Sequence, residues 1–129
     1  MAFVTWDETF SVGVDLIDKQ HQELFGFINA FHEDRANLEH TIEDLLSYID
    51  FHFKTEEKYF KEFGYEKTEE HEDQHKFYED KVRAFFKQFL QGNTSISEEV
   101  ENFVRDWIVH HIKTVDKEYT KCFNEHGLK

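Results

Sequence analysis

Histidine and carboxylate residues recur at helical spacing in this 129-residue chain. His52 and Glu56 are four residues apart, and so are His71 and His75. Four residues rotate an α-helix by about 40° beyond one full turn, so both side chains of a pair reach the same small volume. Imidazole and carboxylate groups are ligands for several transition metals. The spacing therefore predicts two chelating pairs, and metal binding is the chemistry that they could perform.

Further ionisable residues occupy positions where a helix would bury apolar side chains. His21 lies on the apolar stripe of the first predicted helix, and His111 lies on that of the last. Burying unpaired imidazoles and carboxylates costs several kcal/mol per group, whereas the stability of a whole domain is only about 5–15 kcal/mol. We therefore expect a ligand bound between the helices to offset the cost of burying these groups.

Four helices must position these residues, and we predict them at about 17–37, 40–63, 69–91 and 96–120. The chain contains no proline and only five glycines, so little interrupts a helix. Four helices of similar length with short connections predict an all-α fold, the antiparallel up-down-up-down four-helix bundle. An extended N-terminal arm through Trp6 and Phe10 precedes the bundle.

The candidate ligands lie at matching levels of such a bundle. His21 and His71 lie near the starts of the first and third helices, whereas Glu56 and His111 lie past the middle of the second and fourth. Starts of odd helices and ends of even helices share one end of the bundle, so we expect the site there. Asp116 follows His111 by five residues, about 140° around a regular helix. We therefore predict an irregular turn or a π-bulge between them.

The remaining histidines are assigned no role in the site. His110 is the neighbour of His111, but it is rotated about 100° away from the apolar stripe, so we predict His111 as the ligand. His32, His40 and His126 have no partner at ligand spacing. We predict that these three lie at the surface or at helix ends.

The composition limits the partners and the location of the protein. A formal net charge of −13 at pH 7 repels phosphate backbones and anionic lipid head groups, which excludes nucleic acid and membrane partners. The first residues lack the basic and apolar regions of a signal peptide, and no apolar run approaches about 20 residues. Cys122 is the only cysteine, which fits a reducing compartment. We expect residues 1–129 to form one cytoplasmic domain, a monomer without an obligate protein partner.

At its candidate ligands the chain resembles the hemerythrins, and among them the single-domain bacterial hemerythrins. The likeness runs nearly end to end, in four stretches that occur in the family's order. They are Trp6–Asn29 with Gln20-His21, His52–Glu57 followed by Gly64-Tyr65, His71–His75, and Trp107–Tyr119 with His111 and Asp116. Phe60 is a departure, because relatives commonly have Met at that position.

The resemblance implies a non-haem di-iron centre with seven ligands. One iron would be held by three histidines and the other by two, and two carboxylates would bridge the pair. In that order, the implied ligands are His71, His75 and His111, then His21 and His52, then Glu56 and Asp116. With the family's bridging oxygen ligand, this set leaves one position open on the iron that has two histidines. O2 can bind at that position.

Three apolar residues are candidates for the wall of the O2 pocket. Trp107 and Ile108 lie about one turn before His111, and Ile49 lies one turn before His52. Ordinary core packing explains the three residues equally well. In either case an apolar wall would restrict water and protons at the site and favour release of intact O2.

Other metals and functions are compatible with the residues alone. Zinc sites take four ligands, and ferritin-like di-iron oxidases use four Glu with paired Glu-x-x-His motifs, so a histidine-rich set of seven favours neither. The leading hypothesis is reversible O2 binding for storage, transport or local delivery, without enzymatic turnover. One alternative is catalytic reduction of peroxide or nitric oxide at the same centre. Another is redox, O2 or nitric oxide sensing.

Overall fold

The computed structural model describes residues 3–33, 38–93 and 97–129. In those ranges the chain is helical and has no strand. The α-helices there are α1 (Asp15–Glu33), α2 (Leu38–Phe63), α3 (Thr68–Leu90), α4 (Ser97–Thr114) and α5 (Thr120–Glu125). Two 3-10 segments, Glu8–Phe10 and Asp116–Tyr119, precede α1 and separate α4 from α5. None of the described helices combines the length and the apolar character that a membrane span requires.

The four long helices, α1 to α4, form the predicted four-helix bundle. Both α1 and α3 pack against α2 and against α4, which is the neighbour pattern of an up-down-up-down bundle. Apolar side chains from each helix meet in the interior. Examples are Leu24, Leu45, Val82 and Val104, which are fully buried. The predicted fold class is therefore confirmed.

The N-terminal arm is held against the bundle by hydrogen bonds and apolar contacts. The Val4 backbone N–H donates to Asn29 Oδ1 at 2.9 Å, and Asn29 Nδ2 donates to the Val4 carbonyl at 2.8 Å. Phe10 packs its edge against Phe25, with ring centroids 5.1 Å apart. Gly13 has φ +72°, and a Cβ there would come within 2.8 Å of Thr120 Cγ2. The arm thus passes close to α5 at a position that only glycine accepts.

The end of the fourth helix differs from the prediction. It was expected at 120, but α4 ends at Thr114 and the 3-10 segment Asp116–Tyr119 follows. The Glu118 N–H donates to the Val115 carbonyl at 3.2 Å, a bond across three residues that winds the chain more tightly than an α-helix. The irregularity therefore begins at Val115 and Asp116, later than predicted, because the Val115 N–H still makes an α-helical bond of 2.9 Å to the His111 carbonyl. The predicted first-helix end at 37 and fourth-helix start at 96 lie outside the described residues.

Candidate metal centre

The seven side chains predicted as ligands lie together in the interior of the bundle. None of them is more than 2 % exposed. They come from all four helices of the bundle and from the 3-10 segment that follows α4. In chain order they are His21 from α1, His52 and Glu56 from α2, His71 and His75 from α3, His111 from α4, and Asp116.

Their donor atoms fall into two groups that share one residue. In each group the ligand atoms lie within 4.8 Å of one another. The first group contains three histidines, His71, His75 and His111, together with Asp116. The second group contains two histidines, His21 and His52, with Glu56 and again Asp116. The histidines are thus divided three to two.

Asp116 faces both groups with different oxygens. Its Oδ1 lies 2.8 Å from Nε2 of His71 and 3.0 Å from Nε2 of His111. Its Oδ2 lies 3.3 Å from Nε2 of His21. Asp116 is the first residue of the 3-10 segment that follows α4.

Glu56 also lies between the groups, but through a single oxygen. Its Oε1 is 3.3 Å from Nε2 of His52 and 3.3 Å from Nε2 of His75. Its Oε2 accepts a hydrogen bond of 2.5 Å from the Tyr119 hydroxyl. The buried tyrosine therefore fixes the carboxylate and leaves Oε1 directed at the imidazoles.

Several of these donor atoms are buried without a hydrogen bond. They are Nε2 of His21, His52 and His75, Oε1 of Glu56, and both carboxylate oxygens of Asp116. Buried polar atoms are normally satisfied, because an unsatisfied one costs about 1–3 kcal/mol. Imidazole nitrogens and carboxylate oxygens that converge in this way fit a transition metal.

Burial and charge set the protonation states of these groups. Burial lowers the pKa of His52 to about 3, so this imidazole is neutral. Burial and Asp116 raise the pKa of Glu56, but the neighbouring imidazoles of His52 and His75 outweigh them and lower it to about 2. The pKa of Asp116 also lies well below its usual value, because nearby imidazoles, His111 foremost, outweigh its burial. Both carboxylates are therefore ionised, as metal ligation requires.

His75 has the opposite shift. Its burial opposes protonation, but the nearby carboxylates of Glu56 and Glu57 outweigh that effect and raise the pKa to about 9. A metal ion that binds His75 must therefore displace a proton near neutral pH.

Aromatic and aliphatic side chains surround the donors. Trp107 stacks on the His111 ring with centroids 4.4 Å apart, and Ile108 and Ile49 are fully buried. Two rings that were not predicted as wall residues make close contacts. Phe53 lies parallel to the His75 ring at 3.7 Å, and the centroid of Phe60 is 4.7 Å from that of His71.

The other histidines lie outside both groups. His110 is exposed. His32 Nδ1 is 3.3 Å from Glu101 Oε2, and His40 is an exposed residue near Asp44. His126 Nδ1 is 2.8 Å from the Cys122 carbonyl oxygen.

Comparison with known proteins identifies the family. The sequence model described as the hemerythrin HHE cation binding domain matches residues 12–122. The chain belongs to the hemerythrin family. The bacteriohemerythrin of Methylococcus capsulatus is 31 % identical to it, over 96 % of this chain and 99 % of that protein. A hemerythrin-like protein of Naegleria gruberi is 30 % identical, over 88 % of each chain.

Solved hemerythrin structures share the fold. A crystal structure of wild-type hemerythrin superposes with a TM-score of 0.87 and 31 % sequence identity, over 94 % of this chain and 98 % of the other. The family and the buried cluster of His, Glu and Asp together identify the site as metal-binding.

Three side chains that were not predicted as site residues contact the candidate ligands from outside. Gln20 Oε1 lies 2.7 Å from Nδ1 of His52, Gln74 Oε1 lies 3.0 Å from Nδ1 of His111, and Glu57 Oε2 lies 3.1 Å from Nδ1 of His75. A partner on Nδ1 leaves Nε2 directed inward as the donor atom.

A sequence signal for these three residues exists. Each of them is the direct neighbour of a predicted ligand, at 20/21, 56/57 and 74/75. A rotation of about 100° per residue then carries its side chain toward the imidazole of the next helix. In each case the ligand that it contacts belongs to the following helix of the bundle.

Proposed function

We propose that this hemerythrin binds O2 reversibly at a non-haem di-iron centre. The observation that carries the proposal is the pair of buried donor groups that share Asp116 and differ in their number of histidines. Relatives named bacteriohemerythrin, which match nearly the full chain, support the same assignment.

The ligand assignment follows the two groups. His71, His75 and His111 would hold one iron, and His21 and His52 would hold the other. Asp116 would bridge through its two oxygens, which already face different groups. Glu56 would be the second bridging carboxylate, and its Oε1 is equally distant from a histidine of each group. An oxygen ligand would complete the bridge between the irons.

When bound, the iron pair supplies the electrons and the open coordination position that reversible O2 binding needs. The protein supplies the surroundings. Trp107, Ile108 and Ile49 are assigned to the wall of the O2 pocket, since two are fully buried and Trp107 stacks on a ligand. An apolar wall limits water and protons at the site, which favours release of O2 over its reduction.

The buried Tyr119 has a separate part in this arrangement. Its hydroxyl donates to Glu56, and burial raises its pKa well above the usual value, as does the Glu56 carboxylate. The phenol therefore keeps its proton and holds Glu56 in one orientation.

Residues 1–129 are assigned to one hemerythrin domain that acts as a cytoplasmic monomer with O2 as its ligand. The family match over 12–122 and the shared core of the described helices support one domain. Light scattering on the purified protein tests whether it is a monomer. Fractionation of cells that express it tests whether it is cytoplasmic.

The test of O2 binding combines metal analysis with visible spectra in air, under reductant and after re-exposure. We expect two irons per chain and a stoichiometric O2 complex of the reduced protein that returns to the deoxy form under vacuum. His110→Ala is the matched control for His111→Ala, because the first residue is exposed and the second is buried in the site. Only the second change should abolish the complex.

Two outcomes would contradict the proposal. Irreversible oxidation on first exposure to air would exclude a carrier role. Steady turnover of peroxide or nitric oxide with an added reductant, without a reversible O2 complex, would assign the site to catalysis instead.

A further inference from the structure

The outer partners of the histidine ligands are not equivalent. Two of them, Gln20 and Gln74, are neutral amides, whereas Glu57 is a carboxylate. All three contact Nδ1 of the imidazole that they support, at 2.7 to 3.1 Å. The contact geometry is therefore shared, and charge is the difference.

Glu57 and His75 connect the metal site with the protein surface. Glu57 is 28 % exposed, while His75 is 2 % exposed. Both residues line a surface pocket of about 270 Å³ between α2 and α3. The His75 ring lies flat against Phe53, with 2° between the ring planes. Phe53 and Glu57 therefore fix the plane and the direction of this imidazole together.

The negative charge of Glu57 is directed at His75. The two lysines that line the same pocket pair with other carboxylates. Lys54 Nζ lies 2.9 Å from Asp50 Oδ2, and Lys76 Nζ lies 2.9 Å from Asp80 Oδ2.

A carboxylate acceptor on Nδ1 makes an imidazole a stronger electron donor through Nε2 than an amide acceptor does. Stronger donation favours the more highly charged state of a bound metal. We propose that Glu57 is a positioning residue that lowers the reduction potential of the iron held by His71, His75 and His111. This inference rests on the di-iron centre of the proposed function. It adds a difference in charge to the difference in histidine number between the two metal positions.

The test exchanges charge while it keeps the hydrogen bonds. Glu57→Gln gives His75 the amide partner that His52 and His111 already have. We expect the midpoint potential of the iron-loaded protein to rise. A tenfold fall in the ratio of ferric to ferrous affinity would correspond to about 59 mV for one electron. Affinity for Co²⁺, titrated into the metal-free protein, should fall roughly tenfold, as for other outer-partner changes.

Gln74→Glu is the reciprocal variant, because it gives a charged partner to another histidine of the same group. We expect its midpoint potential to fall. The double variant Glu57→Gln/Gln74→Glu should lie near the wild-type value, since one carboxylate again contacts this group. If Glu57→Gln fails to retain iron, Gln74→Glu alone decides: a lower potential supports the inference, and an unchanged one overturns it.

Asp80→Asn is the control for charge without contact. Asp80 lines the same pocket but pairs with Lys76. The Asp80→Asn variant should therefore keep the midpoint potential of the wild type. An equal shift in Asp80→Asn and Glu57→Gln would overturn the inference, because the effect would then be a general surface field. Failure of the wild type to hold two irons would refute the proposed function. Normal loading without a shift in Glu57→Gln would refute only this inference.

Discussion

The two ends of the bundle interior differ in what holds them together. In the metal-centre half, defined by the seven candidate ligands, several buried imidazole and carboxylate donor atoms face one another without a hydrogen bond. The distal half lies beyond Tyr78 and is packed mainly with apolar side chains. Its fully or nearly fully buried members include Ile28, Phe31, Ile42, Leu45, Val82 and Val100.

The comparison shows that one fold combines two sources of stability. Burial of apolar area stabilises the distal half with or without a ligand. We expect the metal-centre half to depend on a bound ion, because ion binding would be part of its folding free energy. Four measurements separate these contributions, from the largest expected effect to the smallest.

Removal of the metal should have the largest effect on stability, and this effect should be concentrated in the metal-centre half. With a chelator we expect a lower melting temperature and faster amide exchange around 52–56, 71–75 and 111–116. Exchange around 28–31, 42–45 and 82–85 should change much less, because those contacts are apolar. Hydrogen exchange with mass spectrometry measures both regions at once. Equal acceleration in the two halves would contradict the comparison.

Single ligand changes should reproduce part of that loss. His75→Ala and Glu56→Ala should lower both the metal content and the unfolding midpoint, because each removes a buried donor. Metal analysis and thermal unfolding of the same samples check this. If either variant, loaded with metal, kept the unfolding midpoint of the wild type, these donors would not stabilise the protein through the metal. The control His110→Ala should change neither the metal content nor the unfolding midpoint.

A cavity in the distal half should destabilise the protein without affecting the metal. Leu45→Ala removes a fully buried side chain and should cost about 2–5 kcal/mol. Chemical denaturation should show similar losses with and without metal, and the metal content should remain that of the wild type. Loss of iron in this variant would mean that the halves are strongly coupled.

The pH dependence should be smallest and should have opposite signs for stability and for metal affinity. His75 has a pKa of about 9 in the folded, metal-free protein and an ordinary value of about 6.5 when unfolded. Its contribution to stability is therefore complete below about pH 6.5 and is lost as pH rises through about 9.

Metal affinity should instead rise over that interval, since the ion competes with the His75 proton. Denaturation of the metal-free protein and Co²⁺ titration at several pH values measure the two trends. If stability and metal affinity changed in the same direction with pH, the result would contradict the assignment of the displaced proton to His75. Leu45→Ala should leave both pH dependences unchanged.

Much of the site could be predicted from local periodicity. The spacings 52/56 and 71/75 place donors on one helix face whatever the tertiary structure, and the interval from 111 to 116 requires an irregular turn. In the structure each pair contributes to the buried donor groups, and the chain leaves α-helical geometry at Val115 and Asp116. Continuing that helical spacing from His52 and Glu56 predicts a buried Tyr59, but Tyr59 is half-buried, whereas its neighbour Phe60 is fully buried. The buried face of α2 is wider than a single stripe of residues, because this helix packs against both α1 and α3.

By itself, the sequence determined the four long helices, the inward direction of the six donors on their stripes and the end of the bundle at which they meet, because these depend on rotation and rise per residue. Tertiary structure alone decided that Asp116 is shared between two groups, that Glu56 Oε1 lies midway between His52 and His75, and that Glu57 rather than an amide contacts His75. Those contacts join different helices. Their distances depend on how the helices cross and align, which the repeat along a single helix does not contain.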